Sequence, residues 1–78
     1  MTAKEIIQQI SEILAKHDPM GLISAGAPSD EYSTEASLIF AAEATTFESL
    51  EKIFTFCFDM DVNISNELLE DLLKIGYY

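Results

Sequence analysis

The apolar residues of this chain recur at helical spacing in separate segments, and residues that cap or stop a helix border each segment. The clearest segment begins with Thr2-x-x-Glu5, the pattern of a capping box. One face then carries apolar side chains three and four residues apart: Ile6, Ile7, Ile10, Ile13 and Leu14. The segment stops at Asp18-Pro19, because a residue before proline is disfavoured in the α region. We therefore predict a first helix over residues 3–17.

Two more segments in the middle of the chain carry a helical pattern. The first is apolar almost all round and predicts a second, central helix over about 34–44, with Ser33 as its N-cap. A second capping box, Thr45-x-x-Glu48, predicts a third helix that ends near residue 58. The boundary between the second and third helices is thus expected at Thr45.

A fourth helix is predicted to begin after Ser65, where Ile64 and Leu69 have the spacing of a hydrophobic staple, and to end before Gly76. Its expected outer face carries Glu67, Glu70, Asp71 and Lys74. Helices joined by short turns predict an all-α fold, a small antiparallel bundle of four helices with one long structured loop. A chain of 78 residues has room for a single domain, residues 1–78.

The long loop is predicted over residues 18–33, which hold both prolines and two of the three glycines. Loops of this length are uncommon in compact domains and are often functional. Leu22, Ile23 and Tyr32 are expected to fasten the loop to the core.

The charge balance limits the classes of partner. Fourteen carboxylates face four lysines without any arginine, so the formal net charge is −10. Such a surface repels nucleic acid and anionic membranes, and it attracts basic proteins through long-range steering. The alternative is that the negative charge only keeps a small, apolar-rich domain soluble.

The long loop concentrates negative charge next to the second helix. Its candidate partner-binding residues are Asp18, Asp30, Glu31, Tyr32 and Glu35. Part of this charge has a structural explanation, since acidic residues near a helix N-terminus suit its dipole. Tyr32 is amphipathic and fits either an anchor for the loop or a contact with a partner.

One segment near the C-terminus has the oxygen-ligand spacing of a calcium loop. The ligands of this weak alternative would be Asp59, Asp61, Asn63 and Glu70. Ile64 occupies the position that needs glycine for a sharp turn, and Asn66 occupies one that is normally apolar. We therefore predict no metal site.

No pattern of catalytic residues accompanies the single histidine or the single cysteine. His17 is predicted to interact with the negative end of the first helix, and Cys57 to be a buried, inert thiol. The expectation is a non-enzymatic protein without a cofactor. The lack of paired cysteines and of any pattern like a signal peptide favours a cytoplasmic location.

The third helix carries more apolar surface than one neighbour can cover. Its wide apolar arc consists of Phe47, Leu50, Ile53, Phe54, Phe56, Cys57, Phe58 and Met60. Either this is a central core helix, or part of the arc stays exposed and forms a partner or homodimer surface.

Two motifs in the loop resemble those of a protein family. Asp18-Pro19-Met20-Gly21-Leu22-Ile23 is followed by Gly26-Ala27-Pro28-Ser29-Asp30-Glu31-Tyr32, with Glu35 beyond. Over about residues 12–40 the chain resembles small bacterial proteins of unknown function that carry DP-x-G-[LIV] and (G)AP-x-DEY-[DS]-x-E segments. His17 stands where an aromatic residue is common in the family, and Ser33 where aspartate is usual. The resemblance implies a small helical domain, in some members related to immunity proteins.

Together these features predict a small acidic interaction protein. Its expected role is to bind and neutralise a basic partner, as an immunity protein does with a bacterial toxin. The alternatives are a self-associating structural domain that dimerises through the third helix, or a weak calcium-binding module at Asp59–Glu70.

Overall fold

The computed structural model describes residues 2–28, 31–58 and 64–76. Its helices are α1 (Ala3–His17), α2 (Ser33–Ala42), α3 (Phe47–Phe58) and α4 (Asn66–Ile75). Helix α1 lies against both α2 and α4, and α2 also lies against α3. No described residue belongs to a strand, so the predicted all-α fold is confirmed, while the antiparallel order of its helices stays a prediction. Among the described helices, none combines the length and the apolar character needed to cross a membrane.

Helix α1 has the predicted bounds because local signals define both of its ends. The amide of Glu5 donates to Thr2 Oγ1 over 3.2 Å, and the Thr2 hydroxyl donates to the Glu5 carboxylate over 3.2 Å. At the other end Asp18 is left-handed, with φ of 48°, and its amide donates to the Leu14 carbonyl over 2.7 Å. This single bond is the αL type of helix stop.

The prediction of Ser33 as the N-cap of α2 is wrong. Ser33 is the first helical residue, and Tyr32 stands at the N-cap without a side-chain capping bond. The reason is tertiary, because the Tyr32 side chain is fully buried and its hydroxyl is engaged in the loop.

Helix α2 also ends two residues before the predicted position. Glu43 is left-handed, with φ of 51°, and its amide donates to the Phe40 carbonyl over 3.2 Å. The amide of Ala44 then donates to the Ile39 carbonyl over 3.1 Å, which completes a Schellman motif. The end was missed because this motif usually has glycine where Glu43 stands.

The predicted cap of α3 is displaced by one residue. The reciprocal bonds join Thr46 and Ser49: the Ser49 amide donates to Thr46 Oγ1 over 3.1 Å, and the Thr46 amide donates to Ser49 Oγ over 3.2 Å. Serine thus takes the place that Glu48 was expected to occupy. Glu48 instead forms an ion pair of 3.2 Å with Lys52.

The predicted start and stop of α4 are confirmed. Ser65 Oγ accepts from the Leu68 amide over 3.2 Å, and Gly76 follows the helix with φ of 75°. Asp71 was predicted to be exposed, and this is wrong, because only 25% of its side chain is accessible. Tyr77, which the sequence predicts to fold back on Leu72, lies outside the described residues.

One core joins all four helices and the loop. Its buried apolar residues are Ile10, Leu14, Tyr32, Ala36, Ile39, Ala44, Leu50, Phe54, Ile64, Leu68 and Leu72. Met20, Leu22 and Ile23 of the loop pack against this core while partly buried. The predicted fastening of the loop by Leu22, Ile23 and Tyr32 is therefore confirmed.

Candidate functional site

Asp18 is the polar centre of the long loop. Its Oδ1 accepts from the Ile23 amide over 3.0 Å and from the Tyr32 hydroxyl over 2.7 Å. Its Oδ2 accepts from the amide and the hydroxyl of Ser24 over 2.9 and 2.8 Å. Burial raises the pKa of this carboxyl, but these hydrogen bonds outweigh burial and hold the pKa well below its usual range. Asp18 is therefore charged and fully engaged within the loop at neutral pH.

Tyr32 connects this loop to helix α3. Its hydroxyl donates to Asp18 and accepts from the Met20 amide over 3.1 Å. Its ring meets those of Phe54 and Phe58 edge-on, with centroids 6.3 and 6.4 Å apart. Burial, together with the hydrogen bond to Asp18, raises the pKa of Tyr32 to about 12. Because Tyr32 is fully buried, its role is that of the predicted anchor, and it offers no surface to a partner.

Glu35 is a buried acid on the first turn of α2. Only 5% of the residue is accessible, and its Oε2 has no hydrogen-bond partner. Burial raises the pKa of Glu35, and the negative charge of Glu31 adds to this effect. Burial also raises the pKa of the half-buried Cys57 thiol, with a further contribution from Glu35. Since the thiolate is the reactive form, this environment disfavours a nucleophilic role for Cys57.

The candidate partner-binding residues of the loop therefore do not form one exposed surface. Asp18 and Tyr32 bond to each other, and Glu35 faces the interior. Glu31 is exposed, and Asp30 lies outside the described residues. Within the described chain, Glu31 is thus the one fully exposed candidate, while Asp18 is half-buried and engaged by hydrogen bonds.

A cluster that joins α1 to α4 was not anticipated from the sequence. Nε2 of His17 lies 2.7 Å from Asp71 Oδ2, and the ammonium groups of Lys16 and Lys74 each lie 3.7 Å from the same carboxylate. The hydrogen bond with His17, followed by the two lysine charges, lowers the pKa of Asp71, although partial burial opposes this. Only the pair of Asp71 and Lys74, three residues apart on α4, could be predicted from local spacing. His17 and Lys16 on α1 are 54 and 55 residues from Asp71 in the sequence.

The weak calcium alternative cannot be placed as a site, since Asp59, Asp61 and Asn63 lie outside the described residues. Glu70 is exposed on α4, and Ile64 is in the core with 8% of its surface accessible. Within the described ranges, no group of three histidine, cysteine or acidic residues could hold a metal ion.

The surface charge is largely uncompensated. Eight described carboxylates are exposed: Glu5, Glu12, Glu31, Glu43, Glu48, Glu51, Glu67 and Glu70. Three of the four lysines form ion pairs, two with Asp71 and one with Glu48. Glu48 is the only exposed acid that is paired in this way within the described part of the chain. The remaining charges are available to an external cation.

Helix α3 buries part of its apolar arc in the core and leaves another part exposed. Leu50 and Phe54 are fully buried, whereas Phe56 is 82% accessible. Phe47, at the start of the helix, is 37% accessible, and these two are the exposed large apolar side chains of the described chain. Met60 lies outside the described residues. The helix is thus a core helix that also presents an aromatic side chain to solvent.

A half-open groove of about 640 Å³ lies between α1 and α2. Its lining residues are Lys4, Ile7, Gln8, Ser11, Glu12, Ala15, Ser33 and Ser37. Hydroxyl groups and one cation border it, together with a single carboxylate. No histidine or cysteine is among the described residues that line the groove.

Comparison with protein-family models, curated proteins and solved structures finds no match to this chain. The resemblance over residues 12–40 stays a prediction.

Proposed function

We propose that this chain is a small, acidic, non-catalytic interaction module that binds a basic protein. The observation that carries the proposal is the uncompensated negative surface. Most of the exposed carboxylates have no cationic partner, because three of the four lysines are committed to Asp71 and Glu48. Such a surface speeds the association of a cationic partner and slows that of an anionic one.

The arrangement of the loop supports binding by a rigid surface. Asp18 and Tyr32 hold the loop to the core from within, and Glu31, which is exposed, directly precedes the buried Tyr32. A surface that is ordered before binding loses less conformational entropy when a partner binds.

The particular role that we propose is that of an immunity or inhibitor protein for a basic bacterial toxin, acting in the cytoplasm. This finer assignment rests on the resemblance of the loop motifs, on the small size of the domain and on its charge of −10. Inhibition would follow from covering the basic surface with which the toxin approaches an anionic substrate.

The test begins with capture of binding proteins from a lysate of the native host at low salt, followed by purification of the candidate that mass spectrometry identifies. Its association rate constant is then measured against ionic strength. The variant carries Glu31→Gln, Glu43→Gln, Glu51→Gln and Glu70→Gln, which changes the net charge from −10 to −6 without a change in side-chain size. We expect slower association for this variant and a weaker salt dependence.

The matched control carries Glu31→Asp, Glu43→Asp, Glu51→Asp and Glu70→Asp, which changes the same four positions and keeps the net charge at −10. This control should associate nearly as fast as the wild type. An association rate that ignores both salt and the four substitutions would refute the electrostatic mechanism. A captured partner with a net negative charge would also contradict the proposal.

A further inference from the structure

We propose that the solvent side of α3 is the contact surface for the basic partner, with Phe56 as its aromatic anchor. The inference rests on the proposed function and specifies the surface and the chemistry of the partner: an apolar recess bordered by lysine or arginine side chains. The geometry that supports it is a stripe of three residues, Glu48, Lys52 and Phe56, which we call the α3 stripe.

The α3 stripe lies on the side of the helix opposite the core. Residues four apart share a helix face, so these three side chains follow one another along the surface. Leu50 and Phe54 point the other way and are fully buried. The side chains of Glu48 and Lys52 are 81% and 76% accessible, and their 3.2 Å ion pair leaves the stripe without a net charge of its own.

Phe56 contributes little to the stability of the isolated domain, because 82% of it is in water. A large aromatic side chain in this position is the kind of residue that dominates binding energy once a partner covers it. Glu51, an exposed acid of the same helix that has no lysine partner within the described chain, favours a cationic partner over an acidic one. A cationic border around the recess would match both Glu51 and the face of the aromatic ring.

Charge also decides against a second copy of this chain as the occupant. Each copy carries a net charge of −10, so two copies repel each other at low salt. A basic protein is attracted under the same conditions. The α3 surface is therefore better suited to a cationic partner than to a second copy of this chain.

The test uses the full-length chain and three designed helical peptides of equal length as probes. The first places leucines on one face and lysines on the other, the second replaces its leucines by alanine, and the third replaces its lysines by glutamate. Binding is measured by calorimetry and mapped by amide chemical shifts. We expect the leucine-lysine peptide to bind most tightly and to shift the amides of the α3 stripe.

Phe56→Ala should raise the Kd for the leucine-lysine peptide by roughly tenfold or more. The same substitution should leave the Kd for the alanine-lysine peptide unchanged. Phe47→Ala, the matched loss of the other exposed phenylalanine, should keep the wild-type Kd. Circular dichroism verifies that each variant retains its helices, which is expected because Phe56 is largely outside the core.

Each contrary outcome has a separate meaning. Equal affinity of Phe56→Ala and wild type for the leucine-lysine peptide, or shifts confined to the groove between α1 and α2, would overturn the α3 surface and leave the proposed function standing. Failure of both basic peptides to bind at low salt would overturn the proposed function as well. A dimer in sedimentation equilibrium that Phe56→Ala dissociates would identify a second copy as the occupant and overturn the basic partner.

Discussion

Removal of one hydroxyl group, in Tyr32→Phe, tests whether the Asp18–Tyr32 contact holds the long loop on the core. The substitution keeps the ring that packs against Phe54 and Phe58. It removes the donor to Asp18 at 2.7 Å and the acceptor for the Met20 amide at 3.1 Å. Any loss of stability therefore arises from hydrogen bonding and not from a cavity.

The size of the loss follows from these two bonds. A hydrogen bond to a charged group contributes about 1.5–3 kcal/mol. The Met20 amide is only partly buried, so water replaces part of its lost partner and this second loss is below about 1 kcal/mol. We expect the free energy of unfolding to fall by about 2–3 kcal/mol, which for a domain of this size lowers Tm by roughly 10–20 °C.

Urea denaturation followed by circular dichroism measures this change, with Asp18→Asn and the double variant as companions. The two residues share one hydrogen bond, so the double variant should lose less stability than the sum of the single variants. A Tyr32→Phe protein within about 0.5 kcal/mol of the wild type would refute the anchoring role, since that is the range of ordinary surface substitutions. Strict additivity in the double variant would refute the direct contact.

The same hydroxyl gives a prediction for alkaline pH. The pKa of Tyr32 in the folded state is about 12, above the ordinary value of 10.0, because burial and Asp18 disfavour the phenolate. Its contribution is fully present below pH 10 and is lost as the pH rises toward 12. The wild type should therefore lose stability over this window, and Tyr32→Phe should lose less.

Three further predictions address other parts of the fold. Because Thr46 caps α3, Thr46→Ala should lower the free energy of unfolding by about 1 kcal/mol, while Thr45→Ala should have a smaller effect in the same urea experiment. Glu35→Gln should stabilise the domain at pH 7 and not at pH 4, because the raised pKa of Glu35 means that the folded state disfavours the charged carboxylate. Equal effects at both pH values would contradict an energetic cost of burying that charge. Asp71 contributes stability above its ordinary pKa of 3.8 and loses it as the pH falls through its lowered folded value, so Asp71→Asn should flatten the acid side of a thermal unfolding profile.

Local signals in the sequence predicted most of the helical structure. The bounds of α1 and the start and stop of α4 were predictable because their signals are local: a capping hydroxyl at Thr2 or Ser65, apolar periodicity, and a stop at Asp18 or Gly76. These hydrogen bonds join residues only three or four positions apart, so the identity of a few neighbours decides them.

The predicted start of α3 and the predicted end of α2 were wrong because local patterns did not identify these positions uniquely. Thr45-x-x-Glu48 and Thr46-x-x-Ser49 both have the form of a cap, and only the packed chain selects the second. The end of α2 was hidden because Glu43 adopts a left-handed conformation that sequence rules assign to glycine.

Contacts between distant parts of the chain define the candidate site, and no local pattern predicted them. Positions around the loop grouped Asp18, Asp30, Glu31, Tyr32 and Glu35 as candidate partner-binding residues. Packing instead buries Tyr32 and Glu35, and the carboxylate of Asp18 accepts hydrogen bonds from within the loop. The contact between His17 and Asp71 spans 54 residues, and the exposure of Phe56 depends on which side of α3 meets α2. Periodicity defines the faces of a helix, but only contacts between distant segments determine which face is buried and which charges acquire a partner.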